Sequence, residues 1–480
     1  MREIVKISYY NEVHIKVNCE PSTAMEIADK FTFMVPGAKF SPAYKNKVWD
    51  GKIRLFNPMT CLLYAGLRDE LEEFCKSRNY DIEHDNIPGD AEFSVHEAEE
   101  FVRRLQPKHE PRDYQYDAFI HAVRKRRGLI LSPTGSGKSL IIYLLACFYQ
   151  SKTLIIVPTT SLVHQMASDF EDYGLPKKLI HKIMSGEEKA SDAPFVISTW
   201  QSIYKMPKPW FKQYQVVIGD EAHLFKAKSL TAIMTKLDQC KYRFGFTGTL
   251  DGTQTNRMVL EGLFGAVRKF VTTAELMERK QLADLTIKSL LLKYDDETRK
   301  LVRGADYHNE MDFLVRNEAR NKFIKNLALS LKGNTLLLFQ YVDKHGKVLF
   351  DMLSKEADTR KIFFISGNVE GEEREKIRQI IETEQDAIVV ASYGTSSTGI
   401  NIRNLSNVIF ASPSKSLIRV LQSIGRGLRT SDNKTSATLF DIGDDMAWKS
   451  KQNYTLLHFN ERIKIYQNEK FKYKIYNIDI

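Results

Sequence analysis

Cysteine is scarce in this 480-residue chain: Cys19, Cys61, Cys75, Cys147 and Cys240 are scattered, odd in number and without a CxxC pair. That excludes a disulfide-stapled scaffold and a thiolate zinc site, and fits free thiols in a reducing compartment. Long apolar runs are missing too. The longest, Leu140 to Tyr149, is about half of what a bilayer span needs. The opening MREIVKISYYNEVHIKV alternates polar and apolar like a strand and lacks the apolar block of a signal peptide. The histidines form no HExxH or paired-ligand spacing, and there is no low-complexity tract or short-period repeat. A soluble, cytoplasmic protein with no membrane partner is expected.

What is present is ordinary for a folded protein, with 43% apolar, 11% aromatic and 27% charged residues. The net charge of +10 permits a polyanionic partner without requiring one. From about residue 129 one rhythm repeats: a short apolar run, a turn, an amphipathic helix. GLILSP, TLIIVP, PFVIST, QVVIGDE and YRFGFTGT form one cluster of runs; NTLLLFQ, KIFFISG, DAIVVAS, NVIFASP and SATLFDIG form a second. Continuous apolar runs of this length read as strands buried on both faces, hence two α/β domains with parallel sheets. TIKSLLLKY reads as a further strand and Asn309 to Leu331 as a helix. The expected division is an N-terminal α+β accessory domain (1–108), a first α/β domain (109–280), a second (281–445) and a helical tail (446–480).

The first strand runs into Thr134-Gly135-Ser136-Gly137-Lys138-Ser139 and a helix. A glycine-rich turn between strand and helix closes backbone N–H groups around phosphate at the positive end of the helix. Lys138 is placed for the β- and γ-phosphates of ATP and Ser139 for Mg²⁺. Ser132 stands where the usual pattern begins with Gly. Farther on, Asp220-Glu221-Ala222-His223 follows the strand QVVIG. Asp220 suits Mg²⁺, and Glu221 suits a general base that polarises the attacking water. Upstream, Arg112, Tyr114 and Gln115 open a helix; Gln115 matches an adenine edge and Tyr114 could stack on it, although an ordinary helix start reads as well. In Gln422-Ser423-Ile424-Gly425-Arg426-Gly427-Leu428-Arg429, helical spacing sets Gln422, Arg426 and Arg429 on one face. Two guanidiniums on one face usually mean a salt-bridged surface, but with the glycine-rich turn about 290 residues upstream Arg426 and Arg429 fit arginine fingers that stabilise charge on the transferring phosphoryl group.

Hydroxyl-rich loops after strands offer phosphate contacts without base readout: Thr159 and Thr160; Ser198, Thr199 and Trp200; Thr395, Ser396 and Thr398. Capping of the next helix competes with that role at each position. The N-terminal tract Lys45, Lys47, Trp49, Lys52 and Arg54, with a turn at Asp50-Gly51, reads as a basic hairpin whose exposed Trp stacks on a base, or as one whose Trp is core. The tail lysines Lys464, Lys470, Lys472 and Lys474 read first as a solvated helix face.

SPTGSGKS, IIVPTTSLVHQM, VISTWQS, DEAH, TGT, IVVASYGTSSTGINI and QSIGRGLR together resemble motifs I, Ia, Ib, II, III, V and VI of superfamily 2 helicases, in that family's order from Gly128 to Arg429. More narrowly, YKNKVWDGKIRLFN and ASYGTSSTGI resemble the bacteriophage UvsW-type recombination helicases. The resemblance implies tandem RecA-like domains and ATP-driven branch migration and unwinding of junctions, forks and R-loops. It also implies 3′–5′ movement, DNA or RNA–DNA hybrids as partners beside other recombination proteins, a monomer, and a bacterial host cytoplasm. Thr247-Gly248-Thr249 replaces the Ser-Ala-Thr of many relatives, and Asn401 stands where many carry an acid. A translocase subunit of a restriction or repair complex is the rival within the class. A nucleic-acid-binding scaffold with a vestigial ATP site is the rival outside it.

Overall fold

The computed structural model describes residues 3–224, 227–250, 254–367, 371–394, 404–413 and 436–480. Two compact units emerge, Met1–Ser132 with Gly137–Phe270, and Val271–Ile480 with Pro133–Ser136.

The first unit begins with a five-stranded mixed sheet, ordered Phe56–Asn57, Leu62–Tyr64, His14–Asn18, Ile4–Tyr9, Asp81–Asp85. Alternation drives it. Val5, Ile7, Ile15 and Val17 point inward, against Ile27 and Phe31 near helix Pro21–Lys30 and Leu71 and Cys75 of helix Arg68–Ser77. A separate hairpin pairs Thr32–Met34 with Lys52–Arg54. The N-terminal region is seated closely on helix Gln254–Phe264 of the same unit: a Cβ at Gly66 would fall 2.0 Å from the carbonyl oxygen of Glu261.

The rest of this unit is a seven-stranded parallel sheet in the order Ile180–Ile183, Phe195–Thr199, Thr153–Val157, Val216–Gly219, Tyr242–Thr247, Arg127–Leu131, Val267–Lys269. Its strands are apolar on both faces because both are covered. Ile155, Val157, Ile197 and Ile218 pack beneath helices Asp113–Lys125, Lys138–Phe148 and Thr160–Asp172. Leu154, Ile156, Val196 and Val217 face the opposite core, shared with Leu260 and Leu263 and with the N-terminal sheet.

The second unit holds another seven-stranded parallel sheet, ordered Ile362–Ile365, Ile388–Ser392, Thr335–Phe339, Asn407–Phe410, Ser436–Asp445, Asp284–Lys293, Lys472–Asp479. The two sheets are the pair of parallel α/β domains the apolar runs predict, RecA-like as the resemblance implies, and all ten of those runs are strands. Two elements differ from expectation. The segment Asn309 to Leu331 is two helices, Tyr307–Arg316 and Glu318–Ser330, because the Asn317 side chain accepts a hydrogen bond from the Arg320 N–H (2.9 Å) and caps the second. The tail beyond Asp444 is not one helix. Helix Tyr454–Asn468 gives way at Lys470 (φ 57°) to strand Lys472–Asp479, which pairs along Thr286–Lys293. KYKIYNID alternates, so Lys472 and Lys474 lie on an edge strand, where charge is tolerated.

Polar groups knit the second unit. Arg320 and Asp444 form a fully buried ion pair (2.8 Å), and the Tyr294 hydroxyl donates to the same carboxylate (2.8 Å). Glu310 accepts from the Thr455 N–H (2.7 Å) and the Tyr454 N–H (2.9 Å), satisfying the first turn of the C-terminal helix. Among the described residues no helix is long and apolar enough to cross a membrane.

Candidate nucleotide and nucleic-acid sites

In a parallel sheet the loops after the strands gather at one edge, and there this chain concentrates its polar chemistry. Strand Arg127–Leu131 leads into the glycine-rich turn, held at its root by the Ser132 N–H donating to the Thr247 carbonyl (2.8 Å). Gly135 (φ 85°) and Gly137 (φ 76°) take left-handed backbone, and Gly137 caps helix Lys138–Phe148. A Cβ at Gly137 would also meet the Gln115 side-chain nitrogen at 2.4 Å. The turn therefore needs glycine on two counts. The Ser136 hydroxyl donates to the Pro133 carbonyl (2.7 Å), bracing the turn from within.

Lys138 stands at the head of the helix and is ion-paired to Glu221, with Asp220 3.8 Å away. Three residues from two motifs thus meet in one place. Burial and the neighbouring Glu221 push Asp220 up to about 6, against the pull of Lys138. Glu221 has left-handed backbone (φ 49°), an uncommon state for a residue with a Cβ and one that functional loops hold. The Ser139 hydroxyl shares a hydrogen bond with the Tyr173 hydroxyl (2.8 Å). Oxygen donors such as Ser139 and Asp220 match the preference of Mg²⁺, so this residue set fits Mg²⁺ with ATP.

Gln115 is buried; its amide donates to the Gly137 carbonyl (3.1 Å) and its oxygen accepts from the Arg112 N–H (2.8 Å). Arg112 is exposed and donates to the hydroxyl of the buried Tyr114 (2.9 Å). The three residues expected at the adenine are thus tied to one another and, through Gln115, to the phosphate turn. Thr134 is half-buried in the turn itself.

Two contacts of this edge lie beyond local motif reading. His223 hydrogen-bonds the Thr247 hydroxyl, which in turn donates to the Thr249 carbonyl (2.7 Å). The third motif thereby touches the second. Tyr173 has no motif of its own and reaches Ser139 from beyond the end of helix Thr160–Asp172.

Of the expected nucleic-acid contacts, Thr159 is a helix cap, its hydroxyl accepting from the Leu162 N–H (3.4 Å), and Thr160 is exposed in the first turn. Ser198 is buried and donates to the Ile183 carbonyl (3.2 Å), Thr199 bonds Ser202 (2.9 Å), and Trp200 is half-buried on the core. Lys45, Lys47, Lys52 and Arg54 are exposed. Trp49, expected either exposed or in the core, is half-buried, with its indole N–H donating to the Lys52 carbonyl (2.9 Å). Thr395, Ser396, Thr398, Gln422, Arg426 and Arg429 lie outside the described residues, as does Asn401.

Comparison with known proteins agrees with this arrangement. Residues 4–85 match the family described as "DNA helicase UvsW, N-terminal", residues 108–252 "Type III restriction enzyme, res subunit", and residues 318–431 "Helicase conserved C-terminal domain". The chain is 38% identical to the ATP-dependent DNA helicase uvsW of Enterobacteria phage T4, over 99% of this chain and 100% of the relative. It is 25% identical to the DNA 3′-5′ translocase XPB2 of Sulfurisphaera tokodaii, over 70% of this chain and 82% of that one. The crystal structure of T4 UvsW aligns over 100% of both chains with a TM-score of 0.53 and 35% identity.

Proposed function

The chain belongs to the UvsW family of ATP-dependent DNA helicases, and from that premise we propose that it is a motor that branch-migrates and unwinds branched DNA. Junctions, forks and R-loops are its substrates in recombination, repair and replication, and it works as a monomer in a bacterial host cytoplasm. The observation that carries the catalytic part is the meeting of Lys138, Asp220 and Glu221 beside the glycine-rich turn.

The roles follow from charge and reach. ATP draws Lys138 away from the two carboxylates onto its β- and γ-phosphates. Ser139 and Asp220 hold Mg²⁺, which when bound neutralises charge on the phosphate oxygens. Freed of its lysine, Glu221 takes up the proton of the attacking water. Arg426 and Arg429, with Gln422 beside them, stabilise the transferring phosphoryl group. Arg112, Tyr114 and Gln115 sense the base and pass its presence to the turn through the Gln115–Gly137 contact.

Residues 1–108 are the accessory domain, with Lys45, Lys47, Trp49, Lys52 and Arg54 on DNA. Thr160, Trp200 and the segment Thr395–Thr398 follow one strand, whereas Ser198, buried with its hydroxyl donated to the Ile183 carbonyl, braces its loop and does not reach DNA. The second RecA-like domain begins after Phe270, somewhat ahead of the expected boundary near residue 280, and the segment from 446 returns to its sheet as strand Lys472–Asp479.

The test has two arms. ATP hydrolysis is measured against single-stranded, duplex, forked, four-way and RNA–DNA hybrid substrates; branched DNA is expected to stimulate most, and equal stimulation by all would defeat the branch-migration reading. Glu221→Gln is expected to bind ATP and DNA while turnover falls about 10²- to 10⁴-fold. Normal turnover in that variant would remove the general base.

A further inference from the structure

Residues 34–54 build a small knob whose backbone is tied to itself. The Val35 N–H donates to the Gly51 carbonyl (2.8 Å), the Lys45 N–H to the Ser41 carbonyl (3.0 Å), and the Val48 N–H to the Ala43 carbonyl (2.9 Å). Gly51, with left-handed backbone, sits at its centre: a Cβ there would come within 3.0 Å of Met34, Ala38 and Tyr44. So compact a unit holds its surface side chains in fixed places.

That surface is unusual. Phe40 is 71% exposed, Val48 81% and Met34 52%, three large apolar side chains in solvent on one small unit. The same tract carries Lys39, Lys45, Lys47, Lys52 and Arg54, and its lone acid, Asp50, is ion-paired to Arg54. Lys39 lies 5.3 Å from the Phe40 ring centroid, leaving most of that ring bare. Trp49 is half-buried with its indole N–H donating to the Lys52 carbonyl (2.9 Å), so Phe40 and Val48 offer more open apolar surface than the tryptophan does.

Exposed apolar side chains on a small unit that carries five cations and no free acid complement one ligand in particular. Duplex DNA at a branch point offers an unstacked base step bordered by phosphates. Side chains such as Phe and Leu insert at such steps while cations hold the backbone. We propose that Phe40 and Val48 are a strand-separating wedge, inserted at the branch point of DNA, with Lys39, Lys45, Lys47 and Lys52 gripping the neighbouring phosphates while Arg54 holds Asp50. The inference rests on the helicase reading for its choice of DNA as partner, and adds to it the element that opens the base pairs.

The experiment uses the full chain without ATP and a four-way junction carrying 2-aminopurine at the branch point, whose fluorescence rises when the base unstacks. The wild type is expected to raise the signal several-fold. F40A/V48A is expected to abolish the rise and to slow ATP-driven junction unwinding about tenfold. F40W, which keeps a flat ring, is expected to retain both. Met59→Ala removes an apolar side chain 91% exposed but outside the knob and serves as the neutral comparison. Both Phe40 and Val48 are exposed, so their loss leaves the fold intact. A rise of undiminished size in F40A/V48A overturns the proposal. Sedimentation with anionic lipid vesicles that is lost in F40A/V48A while the fluorescence rise persists also overturns it, and assigns the knob to a membrane surface. Because the fluorescence step needs no ATP, a chain that neither hydrolyses ATP nor unwinds would defeat the helicase reading and still leave the wedge decided.

Discussion

Tyr173 illustrates what single residues contribute here. Its hydroxyl hydrogen-bonds the Ser139 hydroxyl, the group proposed to hold Mg²⁺, and where Tyr173 is the donor it competes with the metal for that oxygen. A net hydrogen bond is worth about 0.5–1.5 kcal/mol, hence Tyr173→Phe is expected to tighten Mg²⁺–ATP binding about two- to tenfold. Fluorescent-nucleotide titration with and without EDTA checks this, since the gain should vanish when Mg²⁺ is removed. Lys138, Asp220 and Glu221 were legible in the sequence because strand, turn and carboxylate pair form local signals. Tyr173 was not, since it lies 34 positions from its partner and ends an ordinary amphipathic helix. His223 meeting Thr247 across 24 positions was hidden for the same reason.

Among the elements, the central strands announced themselves and the edges did not. Thr153–Val157 and Thr335–Phe339 are buried at every position, and such strands can only be apolar. Ile180–Ile183, Val267–Lys269 and Lys472–Asp479 carry charge because one side of each meets solvent, so nothing in their composition separates them from loop or helix. The second sheet also relies on polar contacts that composition does not reveal. Asp444, at the end of a central strand, receives the Arg320 guanidinium and the Tyr294 hydroxyl with no exposure at all. Asp444→Asn leaves that guanidinium buried without its counter-charge. The expected cost is about 3–5 kcal/mol, read as a lower midpoint in urea unfolding followed by circular dichroism. A midpoint unchanged within error would show that water reaches the pair and replaces the lost charge.

At the scale of the whole molecule, the question is how hydrolysis becomes movement. Arg429 is proposed as a finger from the second RecA-like domain onto a nucleotide held by the first. Arg429→Ala is expected to leave ATP affinity within a few-fold of normal while DNA-stimulated turnover falls about 10³-fold or more. A steady-state assay beside a binding titration distinguishes this from general damage, and a mild effect would end the assignment. Whole-chain identity of 38% to a phage helicase and the motif order both point to this two-domain engine. Its substrate is less legible, because no local motif in the sequence encodes a choice among branched structures.

The clasp between Lys138 and Glu221 has one more consequence. On the roles proposed above, until phosphate competes for the cation, it and the carboxylate proposed to activate water silence each other. An idling protein therefore keeps no armed base in the open, and whatever arrives to claim the lysine also releases the safety catch.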